Sequence, residues 1–343
     1  MTSKKSHGSA GGGGAKAKKV VPALPTAAAK LVLPPGYTRQ AANSTAKRYS
    51  RGLSRVLGLG RGEQVEFDEA QREMLEAANL GAVWLGHATV LLRMNGRWIL
   101  TDPVFSHRVG VHLGPLALGV QRLMPAFAPG SLPKPDIILL SHAHFDHLDV
   151  PSLRALRDKK TQVITAVRTK GLVPRGFGKV IEAGWRDPVM IDDLRVTPIM
   201  PAHWGARTIL DKRRGFNSYL VDLVDHALRG AKGPAGAESA STGSRVLYAG
   251  DTAHSRSYDK VGPIDLTIFG IGAYDPWIHA HASPEQVWDM HTSAQGEYLL
   301  PMHHSTFKLS DEPMDEPLAR LIAAAGKDHA KIVGREVGRA WVG

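Results

Sequence analysis

From about Leu80 onward, apolar residues recur in runs of four to eight separated by turn formers, a pattern of strands more than of helices. Val83 to Met94 and Arg97 to Thr101 read as strand-like runs joined by Asn95-Gly96. That dipeptide tolerates positive φ at both positions and predicts a type I′ hairpin. Ile137-Ile138-Leu139-Leu140 is wholly apolar, and shorter strands are predicted near 162–166, 179–182, 194–199, 217–223, 245–249 and 265–269. Residues 150–158 read as a helix with Pro151 in its first turn. Ser283-Pro284-Glu285-Gln286 has the form of a capping box, opening a helix to about Ala294 with Gly296 beyond it. Pro317 and Gly326 bracket a last helix, and residues 226–244, rich in Gly, Ala and Ser, read as a flexible insertion. The order predicts two β-rich halves with helices outside, an α/β sandwich.

Composition changes the picture at one end only. The formal net charge of the 343-residue chain is +11, yet residues 1–62 hold twelve Lys or Arg and no acid, so the remainder is close to neutral. The pI therefore does not predict a nucleic-acid binder. Residues 1–36, with their Gly11–Gly14 run, clustered Lys and repeated Pro, read as a disordered basic tail. Residues 37–79 read as a partly helical lead-in, and 80–343 as the catalytic domain. Within the lead-in, Tyr49, Leu53, Val56 and Leu57 recur at helical spacing beside Lys47, Arg48, Arg51 and Arg55. Such a helix packs on the main domain or rests on an anionic membrane. There is no Cys, which excludes disulfides, thiolate metal sites and cysteine nucleophiles. With no secretory h-region and no membrane-length apolar run, the expected location is cytoplasmic, with peripheral membrane contact open.

The chemistry concentrates in Ser141-His142-Ala143-His144-Phe145-Asp146-His147-Leu148-Asp149, directly after the apolar run at 137–140. His142 and His144 are two apart, so an extended backbone turns both the same way. Asp146 and His147 follow as the chain turns and can serve a second cation. Imidazole with carboxylate suits Zn, and also Fe or Mn. Three further elements place a His or Asp just past an apolar strand: Pro201-Ala202-His203-Trp204, Gly250-Asp251-Thr252 and Pro301-Met302-His303-His304. Strand ends on one edge of a sheet converge, so these groups can meet.

Taken with Trp84-Leu85-Gly86-His87-Ala88-Thr89, Thr101-Asp102-Pro103 and Ile271-Gly272-Ala273-Tyr274, these words span about residues 80–320. The set resembles the metallo-β-lactamase-fold hydrolase superfamily, and within it the N-acyl-phosphatidylethanolamine phospholipase D-like group. The resemblance implies an αββα sandwich of two sheets flanked by helices, and a dinuclear zinc site. His142, His144 and His203 would hold one metal, Asp146, His147 and His303 the other, and Asp251 would bridge. Asp102 and Thr252 would hold the ligands in place, with Thr101 and Asp149 weaker candidates. His87 would pack beneath the site. Asp146, His281 and Tyr274 are the catalytic candidates, His281 by protonating a leaving alkoxide or stabilising an anionic oxygen. Arg207 and His304 are candidate substrate contacts.

Two departures from the group stand out. His304 occupies a position where an aromatic residue usually follows the ligand His, and residues 37–79 lack the aromatic-rich lead-in. The implied activity is phosphodiester hydrolysis of phospholipase D type on a glycerophospholipid such as an N-acyl-phosphatidylethanolamine. The alternatives are a metal-dependent lactonase or esterase, a non-catalytic metal-binding module at a membrane, and a redox di-iron protein. Oligomeric state is not legible.

Overall fold

A computed structural model describes residues 62–343, apart from 114–115, 209, 225–240 and 260. The basic tail, the helix expected at 43–58 and most of the expected insertion lie outside the described residues. In chain order the elements are β1 (Gln64–Val65), α1 (Glu69–Glu76), β2 (Leu80–Trp84), β3 (Val90–Met94), β4 (Arg97–Thr101), β5 (Arg108–Leu113), β6 (Leu116–Gln121), β7 (Ala126–Phe127), β8 (Ile137–Leu140) and α2 (Val150–Ala155). They continue as β9 (Gln162–Ala166), β10 (Lys179–Ala183), β11 (Val189–Ile191), β12 (Leu194–Ile199), β13 (Ser218–Val224), β14 (Ser241–Tyr248), β15 (Ile264–Gly270), α3 (Pro284–Ser293), β16 (Gly296–Met302), α4 (Glu316–Ala325) and β17 (Ala340–Val342).

Two sheets carry the architecture. One has the order β10-β9-β8-β4-β3-β2-β17, the other β11-β12-β13-β14-β15-β16. Apolar side chains in the second sheet face two environments. Tyr219, Val221, Val246, Tyr248, Leu266 and Ile268 join the core shared with the first sheet. Leu220, Leu247, Ala249 and Phe269 turn the other way, onto Val287 and Met290 of α3 and Leu321 of α4. A strand of period two, apolar at every position, is what a sheet covered on both faces requires. Leu75 of α1 and Leu153 of α2 add to the first core. The result is the αββα sandwich. Among the described residues no helix is long and apolar enough to cross a membrane.

Local chemistry explains most boundaries. Asn95 (φ 45°) and Gly96 (φ 75°) both take positive φ between β3 and β4, as the hairpin reading requires. Ser283 and Gln286 form the expected reciprocal capping box of α3. The run from Val83 to Met94 is not one strand. It reverses at Leu85–Thr89, where Gly86 (φ 101°) and His87 (φ 51°) turn the chain and the Leu85 N–H donates to the Thr89 carbonyl at 2.9 Å. Residues 241–244, expected in the insertion, open β14 instead, with Ser241 paired to Val224. Packing also starts before Leu80, because β1 pairs with β7 and Leu75 is fully buried.

His291 sits on the inner face of α3, buried, with Nδ1 2.8 Å from Thr267 Oγ1. Burial, aided by the charge of Lys331, lowers its pKa from 6.5 to about 4. The folded state thus favours the neutral ring, so stability is complete above pH 6.5 and declines as pH falls toward 4. From pH 7.5 to 4.5, wild type is expected to lose about 2.5 kcal/mol more than His291→Phe in urea unfolding. Equal losses in the two proteins would show that His291 does not set this dependence.

Candidate metal centre

Every candidate donor leaves the C-terminal end of a strand. In the first sheet β2, β4 and β8 run the same way, and in the second so do β12, β14, β15 and β16. The two rims are tied together by hydrogen bonds. Asn217 N–H donates to the Ser141 carbonyl at 2.9 Å, and Tyr219 Oη to the Leu140 carbonyl at 2.8 Å. Tyr248 Oη donates to Asp102 Oδ2 at 2.6 Å. Gly250 (φ 61°) marks a close approach, since a Cβ there would meet Ser141 Cβ at 2.8 Å. Asp102 (φ 27°) and His303 (φ 60°) are non-glycine residues held at positive φ, a conformation seldom adopted except where the surroundings enforce it.

The donors form two adjoining groups, each with one atom per residue lying within 4.8 Å of the others. His142, His144, His203 and Asp251 make the first. His142 Nε2 lies 2.8 Å from His144 Nδ1, and His203 Nε2 lies 3.4 Å from that same Nδ1. Asp146, His147 and His303 make the second, joined by His87. Asp146 Oδ2 is 3.5 Å from His303 Nε2 and 3.8 Å from His147 Nε2. Asp251, a member of the first group, also reaches His147 and His303 of the second. Its Oδ2 is 3.0 Å from His147 Nε2, 3.7 Å from His203 Nε2 and 3.8 Å from His142 Nε2, and its Oδ1 is 3.3 Å from His303 Nε2. His281 stands at the same point, with Nδ1 3.9 Å from Asp251 Oδ2 and its ring centroid 5.3 Å from those of His203 and His303.

The outer ring nitrogens of His147 and His203 are held by the surroundings. His147 Nδ1–H donates to Asp102 Oδ2 at 2.6 Å, while Asp102 Oδ1 accepts Ser141 N–H at 2.7 Å. His203 Nδ1–H donates to the Ala280 carbonyl at 3.1 Å. Both arrangements fix the tautomer and direct Nε2 into the cluster. Thr252 Oγ1 accepts the Ala202 N–H at 3.0 Å, fastening the loop that carries His203. Asp149 braces the far end of its loop by accepting from Ser106 Oγ at 2.6 Å.

Three expectations need correction. Tyr274 does not aim its hydroxyl at the cluster: it donates to Glu316 Oε1 at 2.8 Å, beneath the Arg320 guanidinium. His304 is no mouth residue, because its ring is buried and stacked on Trp84 at 4.5 Å. That stack supplies the aromatic neighbour which the sequence position itself lacks. Arg207 donates from Nη1 to the Ala143 and Leu148 carbonyls, both at 2.9 Å, and lies 4.0 Å over the Phe145 ring. It clamps the 141–149 loop from one side. His87, expected merely to pack beneath the site, brings Nε2 to 3.2 Å from Asp146 Oδ2.

The electrostatics suit a cation. Burial, reinforced by neighbouring imidazoles, holds His142 well below its ordinary pKa. Burial likewise lowers His203 to about 3 and His281 to about 4. Burial opposes ionisation of Asp146 and Asp251, but His147 and the other imidazoles around them outweigh it and keep both carboxyls well below the usual range. Neutral imidazoles and ionised carboxylates are the states that ligate metal. His147 is the exception. Against burial, Asp251, Asp146 and Asp102 raise it, which shows how much negative charge converges on this point. His147 Nε2, Asp251 Oδ1 and His303 Nε2 are buried without a hydrogen-bond partner and face one another. Polar atoms are rarely left so in a core. The all-N/O donor set fits Zn, Fe or Mn.

Comparison with known proteins identifies the family. Residues 97–304 match the family described as beta-lactamase superfamily domain. An uncharacterised protein of Mycobacterium tuberculosis is 30% identical over 277 residues, which is 75% of this chain and 67% of that one. A mitochondrial protein of Saccharomyces cerevisiae named N-acyl-phosphatidylethanolamine-hydrolyzing phospholipase D is 29% identical over 258 residues. That match takes in 69% of this chain but 50% of the yeast protein. Among solved structures, a metallo hydrolase of Ignicoccus hospitalis superposes with a TM-score of 0.52 at 18% identity, covering 76% of this chain and 97% of that one. On fold, donor arrangement and sequence together, the chain belongs to the beta-lactamase superfamily, as a metallo-β-lactamase-fold member near the N-acyl-phosphatidylethanolamine phospholipase D-like group.

Proposed function

We propose that the chain is a metal-dependent hydrolase that cleaves a phosphodiester of a phospholipid, with two zinc ions as its metals. The observation that carries this reading is the Asp251 carboxylate, shared between two groups of donors (Oδ2 3.0 Å from His147 Nε2 and 3.7 Å from His203 Nε2, Oδ1 3.3 Å from His303 Nε2). His142, His144 and His203 would hold one ion, Asp146, His147 and His303 the other. When bound, such a pair supplies Lewis acidity toward a phosphoryl oxygen and acidifies water toward neutral pH. The protein does the rest. With its single negative charge Asp251 would offset the repulsion of two cations. His281, neutral at pH 7 and beside Asp251, presents a ring N–H to an oxygen gaining negative charge. Asp102 and the Ala280 carbonyl keep His147 and His203 from rotating.

The likeness to the yeast phospholipase supports the phospholipid reading, as does the apolar character of the mouth. Trp204 stacks on His203 at 4.6 Å and on His279 at 6.4 Å, and Trp204, Trp277 and Ile278 are all about half exposed. Aromatic and aliphatic groups beside the reacting centre suit a substrate with a polar head and apolar chains.

Protein prepared without chelators is expected to carry two equivalents of zinc. It is expected to cleave N-acyl-phosphatidylethanolamine in mixed micelles and bis(p-nitrophenyl) phosphate, to lose both activities on chelation and to regain them with zinc. Turnover of lactones or carboxylic esters with neither phosphodiester cleaved would reject the phosphodiester assignment and leave a hydrolase of the acyl kind. Iron as the bound metal would reject zinc.

A further inference from the structure

We infer that His87 is a positioning residue of the second metal group, tying Asp146 and His303 into one half-site through a hydrogen bond to the Asp146 carboxylate. This rests on the metal-centre reading above and assigns work to a side chain outside the seven donors.

Two sets of bonds support it. The His87 ring is fully enclosed and lies against the second group, with its centroid 4.1 Å from that of His303 and 5.4 Å from that of His147. Its Nε2 is 3.2 Å from Asp146 Oδ2, within hydrogen-bond reach. The main chain of His87 is held as firmly as its ring. The His87 carbonyl accepts the His303 N–H at 2.9 Å and the Trp84 Nε1–H at 2.8 Å, and its own N–H donates to Thr306 Oγ1 at 2.7 Å. These contacts hold φ at 51°. One residue of the β2–β3 turn therefore touches a donor from the loop after β8 with its ring, and a donor from the end of β16 with its main chain.

A carboxylate rotates between binding modes unless one of its oxygens is held. An N–H donated to Asp146 Oδ2, the oxygen that also faces His303 and His147, supplies the restraint, as outer partners do for metal-binding histidines. Among the described residues the polar contacts of His142, His144 and His203 run to one another, Ser141, Asp251 and the Ala280 carbonyl, and none runs to His87. His87 should accordingly affect the two metal equivalents unequally.

The test is a zinc titration of the metal-depleted full chain against a competing chromophoric chelator, for wild type, His87→Phe and His87→Gln. Glutamine can place an amide N–H near the position of Nε2; phenylalanine fills the volume without a donor. In His87→Phe the first equivalent is expected to bind with wild-type affinity and the second about 10–100-fold more weakly. His87→Gln is expected to recover most of that loss. Preserved binding of the first equivalent reports that the variant is folded. Equal weakening of both equivalents, or an unchanged second one, would overturn the assignment. So would a glutamine variant no better than phenylalanine, since the hydrogen bond would then not be what matters. Failure of wild type to bind two equivalents would instead reject the dinuclear reading itself.

Discussion

The Asp251→Asn variant is expected to hydrolyse substrate about a thousandfold more slowly than wild type, or less still. Asparagine keeps the volume and one acceptor oxygen but removes the charge. Five imidazole nitrogens lie within 4 Å of the Asp251 carboxylate: those of His142, His147, His203, His281 and His303. Two cations set side by side among them would repel strongly with no anion between. The variant should therefore lose metal as well as rate. Elemental analysis of the purified protein is expected to show less than two equivalents, with a normal far-ultraviolet circular dichroism spectrum. A variant that retains two equivalents and full turnover would show that Asp251 bridges nothing.

Asp102→Ala should act on stability as well as on metal affinity. Asp102 is fully buried and accepts from His147 Nδ1, Tyr248 Oη, the Ser141 N–H and Ser141 Oγ. Alanine removes the acceptor of the His147 Nδ1–H and the Ser141 N–H and leaves Tyr248 Oη only the long contact to the Ala88 carbonyl at 3.4 Å. Removing one member of a buried charged network costs about 3–5 kcal/mol. His147 is also freed to rotate, so metal affinity is expected to fall about 10–100-fold. Urea unfolding and zinc titration measure the two effects separately. Loss of affinity with stability unchanged would mean that Tyr248 and Ser141 find other partners, contrary to the packing around Asp102.

Features written in neighbouring residues were legible in the chain. Asn95-Gly96 and the Ser283–Gln286 capping box specify their own conformation, and H-x-H-x-D-H sets its donors by local spacing alone. His203, Asp251 and His303 were recognisable because each follows an apolar strand, and strands running one way bring their ends to one rim. Direction of facing was not legible, because distant partners decide it. The Tyr274 hydroxyl turns away because Glu316 of α4 takes it, and His304 turns inward because Trp84 of β2 offers a ring to stack on. The β2–β3 turn is masked in the sequence because Leu85, Ala88 and Val90 keep the run apolar through it, and the role of His87 is masked with it. Ser241 pairs with Val224 although its own sequence reads as linker. In each case tertiary contact outweighed local preference.

The donors come from both halves of the sandwich: Asp146 and His147 follow β8 of one sheet, and His203, Asp251 and His303 follow strands of the other. Whatever free energy a bound cation contributes therefore acts to keep those halves joined, because parting them dismantles its coordination sphere. Starvation for the metal would then cost a cell the polypeptide along with its activity, through unfolding and turnover of the unloaded chain.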